Sequence, residues 1–600
     1  MVSIIIAIVL WGVLGALGIF YLDLANGHIA FLIVWCVALA LFLIFRIFFY
    51  KKEFWKRLLL WLGLIAVATV SFFFAKPGTY VKPSGGDSQQ PTDALTVEEG
   101  KLRGLYTKDG EVRVYTGIPY AAPPVGELRW KKPQKAPKWE GIRDCFTFAP
   151  RSYQPAGNPV MDSLVDIYAA KSWHPDFTMY PSQERSEDSL YLNVWAPKDA
   201  SNAPVLIYYH GGSLTNGSAA EDRINGETFA RNGVIMVTVA YRLGVFGYFA
   251  HPDLMAESGT TGNYGLLDQI QALKWVHDNI ATFGGDPNAI TVAGESAGSS
   301  SVSALCVSPL SAGLFRYAIG ESSSLVVNPT APHTIRPLET AYKVGQKIMK
   351  EQNCSSIAEL REVDAEKLVN TKYANSSMTI DGYALTEEPY KTYERHANNE
   401  TRLLNGYNVL EADAFIIPQY LLSPTNKGNI KARLVENFDE DTADKLLACY
   451  GDRVEKDAFS VFNEIFSIAW FIEPHDSWSK AALEAGDVVY RYQFTKENGF
   501  YGTYHSGEII YAYGNLARSH QSFAYNNEDY QLMDKMVSYW TSFVKTGVPS
   551  SSWEEYDPSS AKPVMELGAK VGMMEDRYKD VYPIIEEYNA KPKQPKDDDK

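Results

Sequence analysis

The sequence predicts an α/β fold on a large, mostly parallel central sheet, preceded by three transmembrane helices. Three observations carry that expectation. Short β-rich runs alternate with helix-like segments between about Val97 and Tyr588, the pattern of strands joined through crossover helices. Those runs are apolar throughout rather than at every second position, as strands covered on both faces are. Ahead of them stand three apolar stretches, Ser3–Leu22, Ile29–Tyr50 and Leu58–Ala75.

Each stretch has about the ~20 residues that a helix needs to cross a hydrocarbon core of ~30 Å. A cleaved signal is disfavoured for the first, which lacks a basic leading region and is followed by two equally apolar stretches. Their length and near-absence of charge weigh against buried helices of a soluble core. Asp23–His28 carries no Lys or Arg, whereas "RIFFYKKEFWKR" holds Arg46, Lys51, Lys52, Lys56 and Arg57 against Glu53. The basic connector stays cytoplasmic. The N-terminus is then cytoplasmic too, and everything after Ala75 faces outward from the cell membrane. Tyr50 and Trp55 stand beside the lysines, where interfacial aromatics belong. "KPGTYVKPSGGDSQQPTDA" (Lys76–Ala94) has little to bury and reads as a flexible tether. The expected organisation is a membrane anchor over 1–75, a linker over 76–96, the α/β domain over 97–588 and a polar tail over 589–600.

Asp and Glu number 71 against 56 Lys and Arg, with no long basic block beyond the N-terminal region. That excludes a general nucleic-acid binder, which needs a positive face. Cys36, Cys145, Cys306, Cys354 and Cys449 are far apart and form no CxxC pair, so neither a metal site nor a dense disulfide framework is expected. One long-range disulfide among the last four stays open, beside the plainer reading of idle thiols.

Within the body, "PVLIYYH" (Pro204–His210), "GVIMVTVAY" (Gly233–Tyr241) and "AITVAGE" (Ala289–Glu295) read as buried strands. "LLDQIQALKWVHDNIATF" (Leu266–Phe283) places Ile270, Leu273, Val276 and Ile280 at helical spacing. In parallel sheets, active groups gather where loops leave the carboxyl ends of strands. Two predicted strands run into suggestive loops, "HGGSL" and "ESAGSS".

The second loop is G-x-S-x-G between a strand and a helix, similar to the nucleophile elbow of α/β-hydrolases. Gly294 and Gly298 leave room for a sharp turn that exposes Ser296, and the following helix directs its N-terminus at it. The bland alternative is a small-residue turn. "HGGSL" offers backbone N–H groups for an oxyanion, with another from Ala297, the residue after the serine. A serine hydroxyl also needs a base held by a carboxylate. His333, His396, His475, His505 and His520 follow Ser296, and chain order does not choose among them.

Longer segments resemble the type-B carboxylesterase and cholinesterase family across most of 97–588. "GIPYAAPPVGELRWKKP" (Gly117–Pro133) and "SEDSLYLNVWAP" (Ser186–Pro197) are similar to its signatures, and Gly262–Ser301 resembles its central block. The resemblance implies an α/β-hydrolase fold with helical insertions. "LLNGYNVLEADAF" resembles the segment bearing the family's acid and points to Glu411, with Asp413 and Asp381 as alternatives. Ala412 stands where the family has glycine. "HSGEIIYAYG" resembles the histidine segment and selects His505. The implied oxyanion hole is Gly212, Ser213 and Ala297, with Ser213 where family members often have a third glycine. Ser189 and Ser152 occupy positions where extracellular animal members carry a cysteine pair, so the chain looks like a microbial member.

These readings imply a serine carboxylesterase with Ser296, His505 and Glu411 as its triad and a small-molecule ester as substrate. No cofactor, metal or nucleic acid is implied. Membrane lipid is the expected partner of the N-terminal helices, and a protein partner is left unknown. The alternative is an idle, cholinesterase-like adhesion or recognition module. Trp173, Phe177 and Tyr180 are candidates to line a gorge, against ordinary packing.

Overall fold

The computed structural model describes residues 89–156, 183–327, 335–373, 377–413, 415–416, 424–496, 503–518 and 525–591. The three apolar stretches, most of the linker, the aromatic trio at 173–180 and the tail beyond 591 lie outside the described residues. Among the described residues no helix is long and apolar enough to cross a membrane.

One large sheet organises the domain. Its strands in chain order are β1 (Leu105–Tyr106), β2 (Val112–Pro119), β3 (Tyr191–Pro197), β4 (Ala203–Tyr209), β5 (Ile235–Val239) and β6 (Gly285–Glu295). They continue with β7 (Tyr317–Glu321), β8 (Arg402–Asn408), β9 (Val488–Phe494), β10 (Val564–Leu567) and β11 (Val571–Met574). Across the sheet the order is β11-β10-β9-β8-β7-β6-β4-β5-β3-β2-β1. From β5 through β4 and β6 to β10 every neighbouring pair is parallel. Both margins are antiparallel. The expected mostly parallel sheet is thus the interior. At the margins β1–β2 and β10–β11 are joined by short turns, which only antiparallel neighbours accept.

The predicted strands fall within one or two residues of β4 and β5, while β6 starts earlier, at Gly285. Their side chains explain the continuous apolar runs. Val205, Ile207 and Tyr209 of β4 pack in one core, and Leu206 and Tyr208 pack in another. The helix expected over Leu266–Phe283 is α1 (Tyr264–Asn279), closed by a 3-10 turn over Ile280–Phe283. Its Ile270, Leu273, Val276 and Ile280 all enter the first core. Further helices are α2 (Ala297–Val307), α3 (Ala458–Ser467), α4 (Glu473–Ala485) and α5 (Asn527–Thr546). From α5, Leu532, Met536, Trp540, Phe543 and Val544 cover the second face of the sheet.

Two expected boundaries shift. Leu95–Val97 pairs with Gly100–Arg103, and Thr92 N–H donates to the Gly104 carbonyl at 2.8 Å. The end of the expected 76–96 linker is therefore part of the fold, because its Thr and Leu satisfy an edge that would otherwise be open. At the other end the helix Tyr582–Ala590, the last among the described residues, carries the domain to 590. Cys145, Cys306, Cys354 and Cys449 are all free thiols. Where the resemblance placed a missing cysteine pair, Ser152 Oγ meets Ser189 Oγ at 3.0 Å and donates to the Tyr241 carbonyl at 2.7 Å.

Candidate active site

The register of the parallel strands brings the two loops together. Gly294 of β6 pairs with Tyr209 of β4, so the chain leaves both strands at the same edge, into Glu295–Ser296 and His210–Gly211. Ser296 then begins the turn into α2 with φ 56° and ψ −126°. That conformation is strained for a side-chain-bearing residue and persists only where surroundings enforce it. A Cβ on Gly298 would stand 2.0 Å from the Tyr209 carbonyl oxygen, and one on Gly294 would stand 2.5 Å from Gly298 C. Both glycines of the motif are steric necessities of the elbow.

The oxyanion loop lies directly against it. A Cβ on Gly211 would come within 3.1 Å of Ser296 Cβ. Gly212, Ser213 and Leu214 all have positive φ, at 103°, 54° and 59°. That accounts for the glycine the family often has at 213, since a serine there sits in a left-handed conformation at some cost. Among the described residues, the N–H groups of Gly212, Ser213 and Ala297 have no hydrogen-bond acceptor. Ala297 is the first residue of α2, so its N–H is one of the helix's orphan donors.

His505 closes the constellation. Its Nε2 lies 2.9 Å from Ser296 Oγ, and its Nδ1 lies 2.6 Å from Glu411 Oε2. Glu411 is wholly buried, and its other oxygen accepts from the Asn408 N–H at 2.6 Å. The remaining candidates do other things. Asp381 Oδ1 accepts from the N–H groups of Tyr383, Ala384 and Leu385, which makes it a turn builder. Asp413 is buried against Asn463. His475 is buried in α4 against Asn405, and burial pushes its pKa well below the usual range. His396 bonds the Ala485 carbonyl. His333 and His520 lie outside the described residues.

Several residues around the site did not emerge from the sequence. Glu295 Oε1 approaches His505 Nε2 at 3.3 Å and accepts from Ser506 Oγ at 2.5 Å. Glu508 accepts from Asn408 Nδ2 at 2.5 Å and from Ser322 Oγ at 3.2 Å. Trp540 and Tyr513 donate to Glu321. Burial raises Glu295 against the opposing charges of His505 and Arg223. Burial, helped by the charges of Glu411 and Glu295, pushes Glu508 up to about 8. Burial depresses His505, but the charge of Glu295 and the hydrogen bond that the ring donates to Glu411 outweigh it and lift the imidazole to about 9. Phe415 and Phe471 flank that ring at centroid distances of 5.3 and 4.8 Å. Phe471 lies in a π-helical turn, Ile468–Ile472, between α3 and α4, the kind of local widening that often marks functional sites.

Residues 91–583 match the model of the carboxylesterase family. The chain belongs to that family, and it is a carboxylic ester hydrolase. The fumonisin B1 esterase of Sphingopyxis macrogoltabida is 32% identical over 542 residues, covering 85% of this chain and 94% of that protein. Carboxylesterase 5A of Canis lupus familiaris is 31% identical over 499 residues, covering 77% and 83%. Among solved structures, the Geobacillus stearothermophilus carboxylesterase EST55 at pH 6.2 superposes with a TM-score of 0.68 at 27% identity. The match spans 81% of this enzyme and 98% of that chain.

Proposed function

We propose that this carboxylesterase is a membrane-tethered serine esterase of microbial type, acting through Ser296, His505 and Glu411 by way of an acyl-enzyme. The observation that carries the reading is the continuous relay from Ser296 Oγ through both ring nitrogens of His505 to Glu411. Ser296 Oγ attacks the ester carbonyl while His505 Nε2 takes its proton. The same nitrogen returns that proton to the departing alcohol. Glu411 accepts from Nδ1–H, which fixes the tautomer and stabilises the imidazolium. The N–H groups of Gly212, Ser213 and Ala297 hold the oxyanion, each such donor being worth ~2.7–4 kcal/mol in the transition state. Water then attacks the acyl group by the same route. No step calls for a metal or organic cofactor.

Phe415 is 39% exposed beside His505. An ester with an apolar group next to the carbonyl suits that surface. The relative named for fumonisin B1 makes that compound a natural member of a substrate panel. The hydrogen-bonded Ser152–Ser189 pair supports the microbial assignment. An idle recognition module would have no use for a complete relay.

The tether rests on the sequence. Ser3–Leu22, Ile29–Tyr50 and Leu58–Ala75 span the cell membrane with the N-terminus cytoplasmic, residues up to the start of the fold form the linker, and the esterase domain stands on the extracytoplasmic side. Hydrolysis of a membrane-impermeant ester by intact cells tests this topology, and activity released only on lysis would reverse it. For the chemistry, Ser296→Ala should lower turnover of a short-chain nitrophenyl ester by more than ~10⁴-fold. Equal turnover would remove Ser296 from the mechanism.

A further inference from the structure

His210 follows β4 and enters the oxyanion loop, yet its ring does not reach for substrate. Nδ1 lies 2.8 Å from the Gly211 carbonyl oxygen. A carbonyl only accepts, so Nδ1 carries the proton. The ring is held from several sides. It stacks on Tyr241 with centroids 4.5 Å apart and planes 20° from parallel, and Tyr241 OH donates to the His210 carbonyl at 2.7 Å. Behind it, a Cβ on Gly217 would stand 2.3 Å from Nδ1. Gly217 is fixed in turn, because Gln154 donates to its carbonyl at 2.9 Å and accepts from its N–H at 3.1 Å. Burial lowers the pKa of the imidazole and keeps it neutral.

We infer that His210 is a positioning residue for the oxyanion hole, orienting the Gly211–Gly212 peptide from behind. A trans peptide is planar, with its C=O and N–H pointing in opposite directions. A ring that grips the Gly211 carbonyl therefore turns the Gly212 N–H away from itself, into the space left free for the oxyanion. Gly212 has φ 103° and glycine's freedom to rotate, so without that grip the peptide can flip and present an oxygen where a donor is needed. The inference rests on the esterase mechanism proposed above and assigns to that mechanism a residue outside its triad.

The test compares His210→Phe, His210→Asn and His210→Gln in the full-length protein, with active sites counted by a fluorophosphonate. Phe keeps the stacking area and removes the donor. Asn places its amide about where Nδ1 stands, and Gln reaches past it to the Nε2 position. His210→Phe should lose about 100-fold in kcat per active site, as loss of an oxyanion donor does, with KM within about 3-fold. Affinity for a trifluoromethyl ketone, whose adduct carries the oxyanion, should fall by the same factor. His210→Asn should recover most of kcat, and His210→Gln should not. Unchanged kcat in the Phe variant, a loss confined to KM, or equal activity of the Asn and Gln variants would each overturn the role. If the Phe variant does not fold, the Asn–Gln comparison decides alone. Failure of the underlying mechanism looks different, since the unmodified protein would then leave Ser296 unlabelled.

Discussion

Around Arg491 on β9, buried charges are matched; around His505 they are not. Asp476 meets Arg491 at 2.7 Å and Lys480 at 2.7 Å, and Asp576 lies 3.5 Å from Arg491. Tyr407 and Tyr556 add their faces to the guanidinium. Around His505 four buried glutamates, Glu295, Glu321, Glu411 and Glu508, gather against the imidazole and Arg223. A buried carboxylate without a cation is costly and takes up a proton in preference to staying charged. The first cluster is built as a structural ion pair. The second surrounds with carboxyl groups the imidazole that must carry a positive charge during the reaction. Perturbed carboxyl groups gathered around a base are a common feature of reaction centres.

This contrast predicts opposite outcomes for similar substitutions. The largest effect belongs to Glu411→Gln, which keeps the shape but offers Nδ1 a poorer partner. It should cost roughly 10⁴-fold in kcat, the loss seen when a triad carboxylate becomes an amide, with the melting temperature nearly unchanged. A loss under tenfold, measured beside Asp413→Asn, would pass the role to another carboxylate. Arg491→Met should do the reverse. It leaves Asp576 without its cation and Asp476 with Lys480 alone, at about 3–5 kcal/mol of stability for a broken buried pair, while kcat per folded molecule stays as it was. Denaturant unfolding combined with active-site titration separates the two quantities, and a stable variant would show that the pairing is dispensable.

The subtlest effect is a shift of pH dependence. The base must be neutral to accept the proton from Ser296, and the imidazole in the free enzyme titrates near 9, so kcat/KM should climb between pH 7 and 9. Glu295 supplies the largest influence raising that value. Removing its charge lowers the pKa, so Glu295→Gln should carry the rising limb toward acid and improve relative activity below neutrality. A limb that stays in place would mean that Glu295 and His505 are not electrostatically joined.

Much of this was legible in the residues. The strands of the sheet interior and α1 follow from apolar runs and a 3.6-residue period, and Gly294 and Gly298 announce the elbow by sterics alone. The choice of His505 over His475 needed the family resemblance, because a fold brings Ser296 and His505 together across 209 positions and no local pattern encodes that approach. Glu508 stood within the quoted "HSGE" and Glu295 within "GES", yet both were passed over because a glutamate is ordinarily read as exposed. Asn408 and His210 act through hydrogen bonds to a carboxylate and a backbone carbonyl, which sequence periodicity does not report. The antiparallel margins and the folded 91–96 segment were missed for a related reason: edge pairing depends on what lies beside a strand, more than on its own composition.

The most direct test of the proposed chemistry is to label the full-length protein with a fluorophosphonate and locate the adduct by peptide mass spectrometry. A single adduct on Ser296, abolished by Ser296→Ala and suppressed by Glu411→Gln, is the predicted result. An adduct on another residue, or ester hydrolysis that persists when Ser296 is replaced by alanine, would contradict it.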